Sequence, residues 1–195
     1  GRAYDIGHGM INRIDVSQPY QVFYARGAAI VIRKKVFQKL GGFDEDYFIY
    51  YEETDFCWRA RLLGYKIVTV PTSVIYHLGG GTMGKPNPRS IYLSRKNQLT
   101  TLIKNYETAN MIKHVTELLL RYILYALATL IKTRDIKIPA AIFTAIIWNL
   151  KNLGKTLKKR KQIQTMRKVS DNEIKKYMLT KKRYEELTSY LSRAY

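Results

Sequence analysis

The residues best suited to chemistry lie between positions 41 and 59. Six acidic side chains fall within those nineteen positions: Asp44, Glu45, Asp46, Glu52, Glu53 and Asp55. The whole chain carries a formal net charge of +19, so these acids form a local island in a basic protein. Phe43, Tyr47, Phe48, Tyr50, Tyr51, Phe56 and Trp58 are interleaved with them. Carboxylates among aromatic rings predict a partly desolvated cleft, in which a carboxylate serves as a base or binds a metal. A plainer alternative stays open: an acidic first helical turn that only balances nearby cations.

Several elements must position this island. Residues 34–40 read as a short helix with Val36, Phe37 and Leu40 inward, stopped by Gly41 and Gly42 in left-handed conformation. The aromatic run 47–51 is either a short strand or an extended lead-in. A helix then starts at Glu53 or Thr54 and runs to Leu63, with Phe56, Ala60 and Leu63 on one face and Gly64 as its stop. Its first turn would hold Glu52, Glu53 and Asp55 at the positive end of the helix dipole. Residues 27–33, small and then β-branched, predict a buried strand, whose Gly27, Ala28 and Ala29 allow close approach of a backbone or ligand. Residues 67–70 predict a strand closed by Pro71, and residues 73–77 an extended segment ending at His77. Helices alternating with strands argue for an α/β domain. Four short strands do not complete a doubly wound nucleotide-binding sheet, so further βα units are expected upstream.

The order Gly27-Ala-Ala-Ile-Val-Ile-Arg33, Gly41-Gly-Phe-Asp-Glu-Asp-Tyr-Phe48, Glu52-Glu-Thr-Asp-Phe-Cys-Trp-Arg59, Gly64-Tyr-Lys66, Pro71 and Tyr76-His77 resembles the second half of a family 2 glycosyltransferase of GT-A fold, in its rhamnosyltransferase-like branch. The likeness covers roughly residues 20–105. It implies an α/β fold, a partial GT-A domain over 1–105, followed by an all-helical, membrane-associated region over 106–195. It implies a hexosyltransferase-type enzyme that transfers a sugar, with inversion, from a nucleotide-sugar donor to a glycan or lipid-linked acceptor in cell-surface polysaccharide synthesis. The implied roles are Glu53 as catalytic base, Glu52 and Asp55 as groups that orient it or bind acceptor hydroxyls, and Asp44 as part of the acceptor pocket. The usual aspartate of the family's acidic pair is glutamate at position 53. Trp58 would offer a flat face to a sugar ring or pack in the core. Arg95 would contact a diphosphate or face solvent, and Lys96 intervenes where the family has an Arg-Asn pair. His77 matches a ligand of a divalent metal, magnesium or manganese, whose other ligands are expected upstream. The Asp-x-Asp spelling at 44–46 belongs to the Gly-Gly-Phe-Asp-Glu motif and is not counted as the metal motif. Without the nucleotide-binding half, the fragment is expected to be inactive.

The remaining sequence bears on partners. The single cysteine, Cys57, excludes an internal disulfide framework and suits a reducing compartment. No signal peptide opens the chain, which also begins without methionine and reads as a fragment. Residues 1–20 read as a loop, where His8 is either solvated or a ligand. The glycine-rich stretch after His77, with Lys85–Arg89, would form a mobile lid, and it lacks phosphate-loop spacing. Residues 90–105 predict a helix capped by Ser90, with Ile91, Leu99, Leu102 and Ile103 as its apolar stripe. Residues 118–131 and 138–150 are apolar stretches too short to cross a bilayer, flanked by Lys132, Arg134, Lys137, Lys151 and Lys155. They suit interfacial helices or an ordinary packed hairpin. Residues 155–169 read as a basic helix, and Ser170 starts a final helix to about residue 192. Residues 151–195 hold 14 basic and 4 acidic side chains, which predicts an anionic partner surface, phospholipid or nucleic acid; as phospholipid it would be the anionic membrane surface at the cytoplasmic face. No nucleic-acid motif is present. Two other classes remain: a non-catalytic membrane-associated binding module, and a basic nucleic-acid-binding protein.

Overall fold

The computed structural model describes residues 18–77 and 87–178. His8, the expected glycine-rich lid and most of the expected last helix lie outside the described residues. Seven helices and two very short strands follow in the order β1 (Tyr20–Gln21), α1 (Lys34–Lys39), α2 (Glu52–Leu62), β2 (Val68–Thr69), α3 (Pro88–Asn105), α4 (Thr108–Thr133), α5 (Lys137–Lys151), α6 (Leu153–Met166) and α7 (Asp171–Lys175).

The described chain is mostly helical, and the expected four strands reduce to one antiparallel ribbon. β1 pairs with β2 through Tyr20 opposite Thr69 and Gln21 opposite Val68. Residues 27–33 form no strand: Ala29 N donates to Arg26 O at 3.2 Å to make a turn, and Val31 is fully exposed. Residues 73–77 also lie outside the ladder, with Tyr76 fully exposed. Apolar β-branched runs become strands only when a neighbour satisfies their backbone. Among the described residues that neighbour exists only for the ribbon.

The helices follow their local signals more closely. α3 starts earlier than predicted because Asn87, not Ser90, is its cap. The Asn87 side chain accepts from Ser90 N at 2.9 Å, Ser90 Oγ accepts from Asn87 N at 2.9 Å, and Pro88 fills the first turn. α4 is 26 residues long, not about 14, because the polar turns from Thr108 to Glu117 continue the apolar stretch. It is therefore long and apolar enough to cross a membrane by length and composition. Ser170 does cap α7, accepting from Glu173 N at 3.3 Å.

α2 is buried on nearly every side, from Thr54 to Leu62. The predicted single apolar face is too narrow because its arginines are tethered inward. Arg59 donates to Leu40 O at 2.6 Å and Gly42 O at 2.8 Å, tying the end of α1 to α2. Arg61 donates to Phe23 O at 3.2 Å and stacks 3.8 Å from the Tyr177 ring. α2 rests on α3, and α3 in turn packs against α4, α5 and α6. The core that joins them includes Phe56, Leu62, Leu99, Leu102, Tyr122, Ile142 and Ile163.

Candidate active site

Three features deliver the acidic island to the N-terminus of α2. Gly41 and Gly42 adopt φ of +72° and +70°. A Cβ on Gly42 would also sit 3.2 Å from the Phe37 ring, so this turn requires glycine. Tyr47 then plunges into the core, its hydroxyl 2.9 Å from Thr101 Oγ1 and donating to Asp55 Oδ1 at 3.3 Å. The third feature replaces the predicted strand or extended lead-in over 47–51. Phe48, Tyr50 and Tyr51 all adopt positive φ, at 61°, 70° and 70°. Bulky residues there cost of order 1–3 kcal/mol each and persist only where surroundings over-determine them. Asn97, fully buried on α3, supplies that constraint. Its Nδ2 donates to Tyr47 O at 3.0 Å, Ile49 O at 2.9 Å and Tyr50 O at 2.7 Å. The strained turn ends at Tyr51, which is the N-cap of α2, so Glu52 and Glu53 come next.

Glu45 is exposed, and the other five acids divide into two populations. Asp44, Asp46 and Asp55 are neutralised by cations. Asp55 has no exposed surface and is held by Arg59 Nε at 2.8 Å, Lys104 Nζ at 3.0 Å and Asn105 Nδ2 at 2.8 Å. Burial alone would raise its carboxyl, but Lys104 and Arg59 hold it below the usual range. Asp44 is paired with Lys104 and with Lys159 of α6, each at 2.5 Å. There too burial opposes ionisation, and Lys104 and Lys159 overcome it, leaving the carboxyl well below the usual range. Asp46 meets Lys155 at 2.5 Å and Lys159 at 2.6 Å, and its backbone carbonyl accepts from Lys96.

Glu52 and Glu53 behave in the opposite way. Burial pushes the Glu53 carboxyl up to about 7, and the charge of Glu52 adds to the rise. Arg26 pulls the other way, more weakly. Burial also raises Glu52, whose Oε2 is buried without a hydrogen-bond partner. Interaction between the two side chains adds to the rise of Glu53 and works against that of Glu52. Both keep part of their surface open to solvent. Gly27 lies against Glu53, where a Cβ would make ordinary contact at 3.8 Å. The two are therefore half-buried carboxyls that both hold their protons more tightly than usual, Glu53 up to about 7.

The other expected site residues sit elsewhere. Asp55 serves as the anchor of a closed ion cluster rather than facing acceptor hydroxyls. Asp44 is tied between α3 and α6, with its side chain 7% exposed, rather than lining an open pocket. Trp58 is a core residue and offers no free face: it meets Phe23 at 5.3 Å and Tyr106 at 4.6 Å, both edge-on. Arg95 lies over Tyr122 at 5.4 Å and Tyr125 at 5.8 Å, and its Nε is buried without an acceptor. His77 is exposed. Among the described residues no three of His, Cys, Asp and Glu gather to hold a metal ion. These residues do not by themselves fit a metal site, and no step below runs through one. Cys57 is buried, and burial pushes its thiol up to about 11, which suits packing and not nucleophilic attack.

Sequence reasoning reached Asn97 only as the likeness to the family's Arg-Asn pair, without its hold on the turn, and missed Lys104 and Lys159. One signal was present: Lys96, Asn97, Gln98, Thr100 and Thr101 crowd polar groups into the middle of the helix, around the apolar stripe of Leu99, Leu102 and Ile103. The basic α6 also departs from expectation, since Lys155 and Lys159 turn inward to the acids. Arg160 caps the end of α3 through Ile103 O at 2.7 Å and Tyr106 O at 2.5 Å.

Stretches of this chain are similar to two curated glycosyltransferases. The low-salt glycan biosynthesis hexosyltransferase Agl10 of Haloferax volcanii is 45% identical over 40 residues, which is 20% of this chain and 13% of that protein. The N-acetylglucosaminyl-diphospho-decaprenol L-rhamnosyltransferase of Mycobacterium tuberculosis is 33% identical over 64 residues, 33% of this chain and 21% of that protein. The matched stretches thus span well under a quarter of either relative. No family model matches the chain, and no solved structure matches it.

Proposed function

We propose that this chain is the acceptor side of an inverting glycosyltransferase, in which Glu53 takes the proton from an acceptor hydroxyl as that oxygen attacks the donor's anomeric carbon. The observation that carries this reading is a half-buried carboxyl raised to about 7 beside a second raised carboxyl. A base near the working pH is ionised often enough to act and basic enough to accept a proton. Partial likeness to two glycosyltransferases supports the reaction class. The donor is a nucleotide-sugar and the acceptor a glycan or lipid-linked saccharide; the relatives' names supply glycan biosynthesis and an N-acetylglucosaminyl-diphospho-decaprenol acceptor.

The test is sugar transfer by the protein that carries this chain, offered a panel of nucleotide-sugars and an N-acetylglucosaminyl-diphospho-lipid acceptor, with product stereochemistry read by NMR. Glu53→Gln is expected to lower turnover by about 10²–10⁴-fold while the substrates still bind. Undiminished turnover in that variant, or a retained anomeric configuration, defeats the assignment. Absence of transfer with every donor favours a non-catalytic binding module instead.

A further inference from the structure

We infer that α4 and α5 form a membrane-docking face that lies in the surface of an anionic lipid monolayer without crossing it. This inference goes beyond the transferase reading and stands whether or not Glu53 is a base. On α4, Leu120, Leu124, Leu127 and Ile131 recur at helical spacing and are 57%, 56%, 48% and 80% exposed. On α5, Phe143 and Ile147 repeat the pattern at 44% and 49%. Both helices pack on α3 and on each other. Each exposed stripe lies about half a turn away from the residues that meet the core, Tyr122 and Ala126 on α4 and Ala145 on α5. The two stripes therefore lie side by side, facing away from α3. A hairpin covering a water-soluble domain would carry polar residues there. An apolar patch of this breadth marks an interaction surface.

Charge selects the occupant. Residues 108–151 contain six lysines and arginines and two acids, Glu117 and Asp135. Lys132, Arg134 and Lys137 cluster, all exposed, at the hairpin turn. The Asp135 carboxylate is partly engaged, accepting from Lys137 N at 2.8 Å. A cationic rim around an apolar face matches anionic headgroups above acyl chains. The arrangement also argues against a span, although α4 alone is long enough for one. Tyr122 donates to Gln98 Oε1 at 2.8 Å and to Arg95 O at 3.2 Å, fastening mid-α4 to the polar middle of α3. Threading α4 through a bilayer would drag that polar stretch into hydrocarbon or tear the contact apart.

The experiment is co-sedimentation of the full chain with vesicles of phosphatidylcholine, with and without phosphatidylglycerol. Partitioning is expected to rise at least about tenfold with the anionic lipid and to fall with added salt. Alkaline carbonate is expected to release the protein. Leu124→Glu with Leu127→Glu, both on exposed positions, is expected to abolish binding while the circular dichroism spectrum stays unchanged. Resistance to carbonate overturns the inference in favour of a span. Equal binding to neutral vesicles, or unchanged binding by the double variant, also overturns it. So does a solution dimer that the double variant dissociates without loss of vesicle binding, since the face would then belong to a second copy.

Discussion

If desolvation is what raises Glu53, the same carboxyl must destabilise the fold once it is ionised. The folded protein holds that proton more tightly than the unfolded chain does. The group therefore costs nothing below its ordinary value of 4.5, and its cost grows as pH rises until about 7, where it levels off. Each tenfold gain in proton affinity is worth about 1.4 kcal/mol, so the full penalty comes to roughly 3 kcal/mol, or roughly 2 after discounting for the part of the side chain that meets water. Glu53→Gln keeps the shape and cannot ionise. Urea unfolding followed by far-ultraviolet circular dichroism, at about pH 5 and about pH 8, should show the variant close to the parent at the lower value and roughly 2–3 kcal/mol more stable at the higher. The opposite sign at high pH would mean that the carboxylate is stabilised by a cation, with Arg26 the first suspect. An equal difference at both values would mean that its ionisation is not coupled to folding. Either result removes the physical basis for a tuned base. A stabilised variant that has also lost sugar transfer is the pattern expected of strain held for catalysis.

Two further variants probe the frame around that carboxyl. Asn97→Leu removes three hydrogen bonds of about 1 kcal/mol net each and lets the left-handed turn relax, so a loss of roughly 2–4 kcal/mol is expected, with amide hydrogen exchange rising most over residues 48–55. Lys104→Met leaves Asp55 with Arg59 as its one remaining cation among the described residues and removes half of the Asp44 pairing, with an expected cost of about 3 kcal/mol in urea unfolding; combining it with Asp55→Leu should cost clearly less than the two changes summed, because the cluster acts as a unit.

Local pattern made some of this molecule legible and long-range pairing hid the rest. α2 and its glycine stop at Gly64, the apolar face of α3 and the cap at Ser170 are written in residues three or four apart, and all of them form. The strand at 27–33 was over-read because alternation and β-branching state only a preference, and a ladder needs a partner that the segment itself cannot show. Asn97 and Tyr47 lie fifty residues apart, and no periodicity connects an amide on one helix to carbonyls in a distant turn. The length of α4 was under-read for a different reason: hydropathy marks where a helix is apolar, whereas helix propensity and capping set where it ends.

The acidic island shows how composition can mark a stretch and yet not distinguish the residues within it. Six carboxyls in nineteen positions look interchangeable in sequence. The fold then separates them by access to cations. Arg59 reaches Asp55 from one helical turn away on α2, Lys104 reaches Asp44 and Asp55 from α3, and Lys155 and Lys159 reach Asp44 and Asp46 from α6. Those three carboxyls are spent on holding the loop against two helices. Glu52 and Glu53, placed by a turn that Asn97 keeps strained, are buried more than nearby cations offset, Arg26 included, so their proton affinity goes up instead of down. Opposed shifts among neighbouring carboxyls are how one short stretch can both build a scaffold and supply a base. The cations divide as the carboxyls do. Lysines of α6 make the ion cluster, while the cations at the α4–α5 turn stay free to meet an anionic surface.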